Sequence, residues 1–100
     1  MFVHHVFFWL KEDISHEEIK KFEAGVSSLL SIDDVKAGDV GKPAPTNRPV
    51  IERGYSYSLL LQFSDMAMHD AYQVHPVHQK FIADCSPLWT RVLIFDSESI

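Results

Sequence analysis

The sequence predicts an α+β domain with a ferredoxin-like β-α-β-β-α-β order, an antiparallel sheet carrying helices on one face. Three observations predict it. Residues 2–10, 55–63 and 88–96 are runs rich in aromatic and β-branched residues, free of internal Gly and Pro. Between them lie segments with apolar residues at helical spacing and helix-start signals. The chain has 100 residues, of which 46% are hydrophobic and 12% aromatic, so it can pack one core and is not disordered. We therefore read residues 1–100 as one domain.

The first strand, Phe2 to Leu10, splits by alternation into Phe2, His4, Val6, Phe8 and Leu10 on one face and Val3, His5, Phe7 and Trp9 on the other. Both sets are apolar, so both faces are expected to be covered. A helix follows. Ser15 and Glu18 have capping-box spacing, and Ile14 and Ile19 suit a hydrophobic staple. Ile19, Phe22, Val26, Leu29 and Leu30 give its apolar stripe. Val35 to Val40 is a weak strand. Pro43, Pro45 and Pro49 then exclude helix and central strand. A loop of this length is expected to have a role, such as an arm over a neighbouring subunit.

In the run from Tyr55 to Phe63, Tyr55, Tyr57, Leu59, Leu61 and Phe63 share one face and Ser56, Ser58, Leu60 and Gln62 the other. Ser64 or Asp65 can cap a short helix ending near Val74. Pro76 interrupts it and suits the first position of a second helix, which Pro87 ends. Leu88 to Asp96 is the last strand. Helices cover one sheet face only. We expect the other, carrying Val6, Phe8, Leu10 and Leu60, to pack against a second copy as a homodimer.

Nine Lys and Arg against fourteen Asp and Glu leave a net charge of −5, with no basic cluster. That argues against nucleic acid or an anionic membrane as partner. The single cysteine, Cys85, excludes an internal disulfide and a Cys-based zinc site. No signal peptide or membrane span is read, and a cytoplasmic location is the expectation.

Six histidines are unusual in a chain of this length. His75, Pro76 and His78 form H-P-V-H at the helix break. In one unbroken helix Tyr72 and His78 would point about 240° apart. The break re-aims the chain so that the two can converge over the sheet, with His5, on the face of Phe7 and Trp9, and Tyr57 beneath. Phe22, Leu59, Phe81 and Trp89 supply apolar walls. Histidine, with an ordinary pKa near neutrality, suits a general base. A first-turn His78 would be favoured as neutral imidazole by the helix dipole. Tyr72 could donate to a substrate oxygen on which negative charge develops. His75 and His78 without a nearby carboxylate are a weak metal-ligand set, so no metal and no cofactor are expected. His4 and His16 are read as a dimer-face and a solvated residue, and Cys85 as an inert buried thiol.

The opening His5-Val6-Phe7, the Gly54-Tyr55 strand start, Tyr72-x-x-His75-Pro76-x-His78-x-x-Phe81, and Trp89 with Leu93-Ile94-Phe95-Asp96 resemble the stress-responsive A/B barrel (Dabb) family. The resemblance implies a homodimer whose two sheets close into an α+β barrel. It also implies a functional parallel with a plant polyketide cyclase of that family, which performs an intramolecular aldol condensation without a cofactor. Its catalytic Tyr and His correspond to Tyr72 and His78, and a strand-1 His of its pocket to His5. Tyr57 stands where it has a further His, and Phe7 and Trp9 are bulkier than its aliphatic residues. The function expected is therefore binding of a small apolar or aromatic carbonyl compound between sheet and helices, with cyclase- or isomerase-like proton transfer. The alternative is a non-catalytic stress-associated binding or structural dimer.

Overall fold

The computed structural model describes residues 1–100. The chain runs β1 (Phe2–Leu10), α1 (His16–Ser28), β2 (Ala37–Gly41), β3 (Tyr57–Phe63), α2 (Met66–Gln73), α3 (Pro76–Cys85) and β4 (Trp89–Glu98). The strands form one antiparallel sheet in the order β2-β3-β1-β4, with helices on one side. β1, the most apolar strand, takes an interior place.

Local chemistry accounts for the helix ends. Ser15 and Glu18 close the expected capping box: Ser15 Oγ accepts from the Glu18 N–H at 3.1 Å, and Glu18 Oε1 from the Ser15 N–H at 2.9 Å. Asp65, not Ser64, caps α2 by accepting from the Met68 N–H. Pro76 opens α3 with His75 as its cap. Ser86–Leu88 form a 3-10 turn, so α3 stops just before Pro87.

The structure corrects the sequence reading on which face of β1 meets the helices. Phe2, His4, Val6 and Phe8 are buried beneath them, while Val3, His5, Phe7 and Trp9 lie half-buried on the open face. Alternation separates the two sets but does not orient them when both are apolar. Pairing does: Val6 faces Leu59, His4 faces Leu61 and Phe2 faces Phe63. The core set of β3 thus draws the even-numbered residues of β1 inward. Val6 and Phe8 are core, not dimer face, and Leu10 packs against the core. The apolar open face consists instead of Val3, Phe7, Trp9, Leu60, Leu93 and Phe95, with Phe95 60% exposed.

A second correction concerns Tyr55. The regular ladder ends at Tyr57: the Ser56 N–H still donates to the Phe8 carbonyl at 2.7 Å, but the Leu10 N–H goes to Ser56 Oγ at 2.9 Å rather than to a backbone carbonyl. Tyr55 consequently turns to the open face. Its ring lies 4.9 Å from Phe7 and 6.4 Å from Trp9, so the Pro-rich loop ends by folding onto its own sheet. No helix is long and apolar enough to cross a membrane.

Candidate functional site

The break between α2 and α3 builds the site. Pro76 cannot continue α2, and His75 adopts extended backbone. Its Nδ1 accepts from the Val77 N–H at 3.1 Å, so His75 is a helix cap. The redirected chain brings the rings of Tyr72 and His78 to 4.7 Å between centroids, inclined at 58°.

Both rings line a cavity of about 140 Å³ between sheet and helices. Val6, Phe8, Leu59, Phe81 and Trp89 give it apolar walls, and His4 joins Tyr72 and His78 as a polar member. Ile82, Val92 and Ile94 line it too, and their exposures of 40%, 40% and 47% mark its mouth between α3 and β4. Tyr72 is 1% exposed, yet its hydroxyl makes no hydrogen bond within the chain. No buried side-chain polar atom lacks a partner, so this hydroxyl is not sealed among apolar groups and opens on the cavity.

His4 Nδ1 lies 2.6 Å from Asp96 Oδ1, across the β1–β4 pair. His69 packs 5.0 Å from the His4 ring and 4.5 Å from Phe2. Burial holds His78 below the usual imidazole range, and facing His4 and His69 push the same way; the Gln73 backbone opposes them. Burial likewise lowers His4, with Asp96 opposing. Burial raises the Tyr72 phenol. Near neutral pH the cavity therefore holds a neutral imidazole that can accept a proton beside a protonated phenol that can donate one.

The other expected site residues separate from this group. His5 is on the open face, its ring 4.4 Å from Phe7 and its backbone opposite Leu60 and Phe95. Phe7 and Trp9 line a different groove there, of about 370 Å³, with Tyr55, Leu93, Phe95 and Glu52. Tyr57 is on the helix side, but its hydroxyl donates to Glu23 Oε2 at 2.7 Å, away from the cavity. Burial and that carboxylate push its pKa up to about 12. Phe22 is fully buried behind Phe81 and Phe8 and supports the wall without lining it. Leu59, Phe81 and Trp89 do line it.

The sequence reading missed His4, Asp96 and His69. The signal for His4 was the matched alternation of β1 and β3, since the residue opposite Leu61 must face the core. Asp96 follows from its place opposite His4. A larger groove of about 450 Å³ runs between α1 and α3 past Lys80 and Cys85. Burial raises the Cys85 thiol, so no activated nucleophile stands there.

A four-stranded antiparallel sheet with its helices on one face defines a ferredoxin-like α+β domain. The chain belongs to the stress responsive A/B barrel domain (Dabb) family, whose model matches residues 2–99. It is similar to a Dabb family protein with a ferredoxin-like fold from Mesorhizobium loti, with 26% identity, a TM-score of 0.78, and 99% of this chain and 96% of that one covered. A dimeric ferredoxin-like protein of unknown function from Jannaschia sp. CCS1 matches at 25% identity and a TM-score of 0.76, with 98% of each chain covered. The hydroxynitrile lyase of Passiflora edulis shares the fold at 19% identity and a TM-score of 0.77, covering 96% of this chain and 90% of that one. No curated protein matches the sequence.

Proposed function

We propose that this protein is a homodimer that binds a small carbonyl compound in the cavity between sheet and helices and moves a proton on it with His78 and Tyr72. The observation that carries the reading is the unpartnered Tyr72 hydroxyl, in a mostly apolar cavity, beside an imidazole held below its ordinary pKa. The cavity of about 140 Å³ is close to the ~150 Å³ of an apolar cavity that takes up benzene. It suits one aromatic ring or a short chain, with any longer substituent leaving past Ile82, Val92 and Ile94.

His78 takes a proton from the carbon beside the carbonyl and becomes imidazolium. The electron pair left behind forms an enolate, and the Tyr72 hydroxyl donates to its oxygen. The enolate carbon then attacks a second carbonyl of the same molecule, and imidazolium returns its proton to the new alkoxide. In an isomerisation the proton returns to a different carbon. These steps use only side chains of the chain. The same pair would suit a hydroxynitrile: His78 takes the hydroxyl proton, the carbon–carbon bond to cyanide breaks, and a carbonyl forms.

The open face supports the dimer. Phe7, Trp9, Leu60, Leu93 and Phe95 leave an apolar surface that a second copy would cover about a two-fold axis. The Jannaschia protein of the same fold is a dimeric one.

The test is deuterium exchange at the methyl group of acetophenone in D₂O, followed by NMR. Wild type should accelerate exchange. His78→Ala should lose roughly 10²-fold or more of that acceleration, the usual scale for a positioned base. Tyr72→Phe should retain binding and exchange more slowly. Saturable binding without exchange would leave a binding protein and remove the catalytic reading. Neither binding nor exchange, with acetophenone and benzaldehyde cyanohydrin both tried, would overturn the proposal.

A further inference from the structure

Three side chains outside the Tyr72–His78 pair converge on one point at the β1–β4 side of the sheet: His4 from β1, His69 from α2 and Asp96 from β4. One potential ligand atom of each lies within 4.8 Å of the others. We propose that His4, His69 and Asp96 bind a divalent first-row transition-metal cation of the zinc class.

The donor set is two imidazoles and a carboxylate. That suits Zn²⁺ and its neighbours rather than Mg²⁺ or Ca²⁺, which prefer all-oxygen shells. Ligands bonded at about 2.0–2.2 Å around a tetrahedral ion lie about 3.3 Å apart. His4 Nδ1 and Asp96 Oδ1 are 2.6 Å apart and would have to spread by about 0.7 Å, while all three ligand atoms already lie within 4.8 Å of one another, a mismatch of the size that side-chain rotations absorb.

His69 carries the outer partner that metal-ligating histidines need. Its Nδ1 lies 3.1 Å from Asp70 Oδ1. A carboxylate there holds the proton on Nδ1 and leaves Nε2 as the acceptor, the arrangement that orients imidazole toward zinc. At present that lone pair faces the Gln73 side-chain amide at 3.2 Å. Gln73 is a flexible side chain that a cation can displace. The ring itself is fixed by stacking on Phe2 at 4.5 Å and 27°. His4 is buried, whereas the Asp96 side chain is 41% exposed, which leaves a path for the ion and room for water in the remaining positions. Asp96 has no Lys or Arg partner, only His4, so no fixed cation competes for it.

The site adjoins the cavity through His4, whose ring is 5.9 Å from Tyr72. It stands independently of the acid–base reading, because its test reads metal and not turnover. Chelator-treated protein is titrated with ZnCl₂ by calorimetry, and with CoCl₂ by visible absorption. Wild type should take one zinc per chain at micromolar or tighter Kd. Co²⁺ should give the d–d bands of a low-coordinate N/O site. His69→Gln, which keeps bulk over Phe2, and Asp96→Asn should each weaken zinc at least tenfold with unchanged circular dichroism. Asp70→Asn should weaken it less, through loss of the orienting carboxylate. His16→Ala, at an exposed position on α1, should change nothing. Wild type binding no tighter than His69→Gln, or His16→Ala weakening binding as much, would show only a hydrogen-bonded cluster and overturn the site.

Discussion

Truncating Phe8 and Phe7 in turn separates the two faces of β1. Phe8 is 2% exposed, and its ring meets Phe22 at 5.2 Å, Phe81 at 5.9 Å and Trp89 at 5.2 Å. Phe→Ala in a core costs about 3–5 kcal/mol. Three aromatic partners, each worth about 0.5–1.5 kcal/mol beyond area, place Phe8→Ala toward the upper end, about 4–5 kcal/mol. In a domain of this size each kcal/mol moves Tm by roughly 4–8 °C, so a fall of about 20 °C or more is expected. Phe7 touches Tyr55 at 4.9 Å and His5 at 4.4 Å on the half-buried open face. Phe7→Ala should cost about 1 kcal/mol within the chain, because only part of the side chain leaves water. Its larger effect should fall on association, and Phe7→Glu should give monomers by sedimentation. The assay is urea unfolding by circular dichroism at one fixed protein concentration, since dimerisation makes stability concentration-dependent. A Phe8→Ala protein no less stable than Phe7→Ala would refute the orientation of β1.

Other outcomes follow from single contacts. Tyr72→Phe should leave the unfolding free energy within about 1 kcal/mol of wild type, because its hydroxyl has no partner in the chain; a loss above 3 kcal/mol would show a structural hydrogen bond. Ser15→Ala should cost about 1 kcal/mol by opening the capping box, measured by thermal unfolding. Gly25→Ala should destabilise α1 despite the better helix propensity of Ala. A Cβ there would stand 2.7 Å from Cys85 Sγ, so Cys85→Ala should relieve part of the loss in a double-mutant cycle. For pH, the His78 pKa is lower folded than unfolded, so between those two values the unfolded chain binds more protons. Stability should therefore be full above the unfolded value near 6.5 and decline as pH falls below it, through the folded value. His78→Gln should reduce that decline; an unchanged slope would remove His78 as its source.

Local signals wrote most of the fold into the sequence. The Ser15–Glu18 box, the Pro76 break and the strand runs act over a few residues and appear in the structure where their chemistry places them. Tyr72 and His78 were legible for the same reason, because the H-P-V-H break dictates a change of direction. The orientation of β1 was not legible. His4 and His5 are adjacent, both strand faces are apolar, and one residue of phase exchanges the sets. Only the pairing with Leu59, Leu61 and Phe63 settles it, and pairing register is a long-range property. Asp96 and His69 were hidden likewise: one comes from the last strand and one from α2, and nothing in their neighbouring residues points to His4. Tyr57 misled because its face was right but its hydroxyl had a nearer acceptor in Glu23.

The central claim is that the cavity holding Tyr72 and His78 receives a small carbonyl compound. An NMR titration of isotope-labelled protein with acetophenone tests it most directly. Saturable shifts should appear at the His78 ring, at Tyr72 and at the walls Leu59, Phe81 and Ile94, with His16 unmoved and the shifts lost in His78→Ala. No saturable shift, or shifts confined to Phe7, Trp9 and Phe95 on the open face, would contradict it.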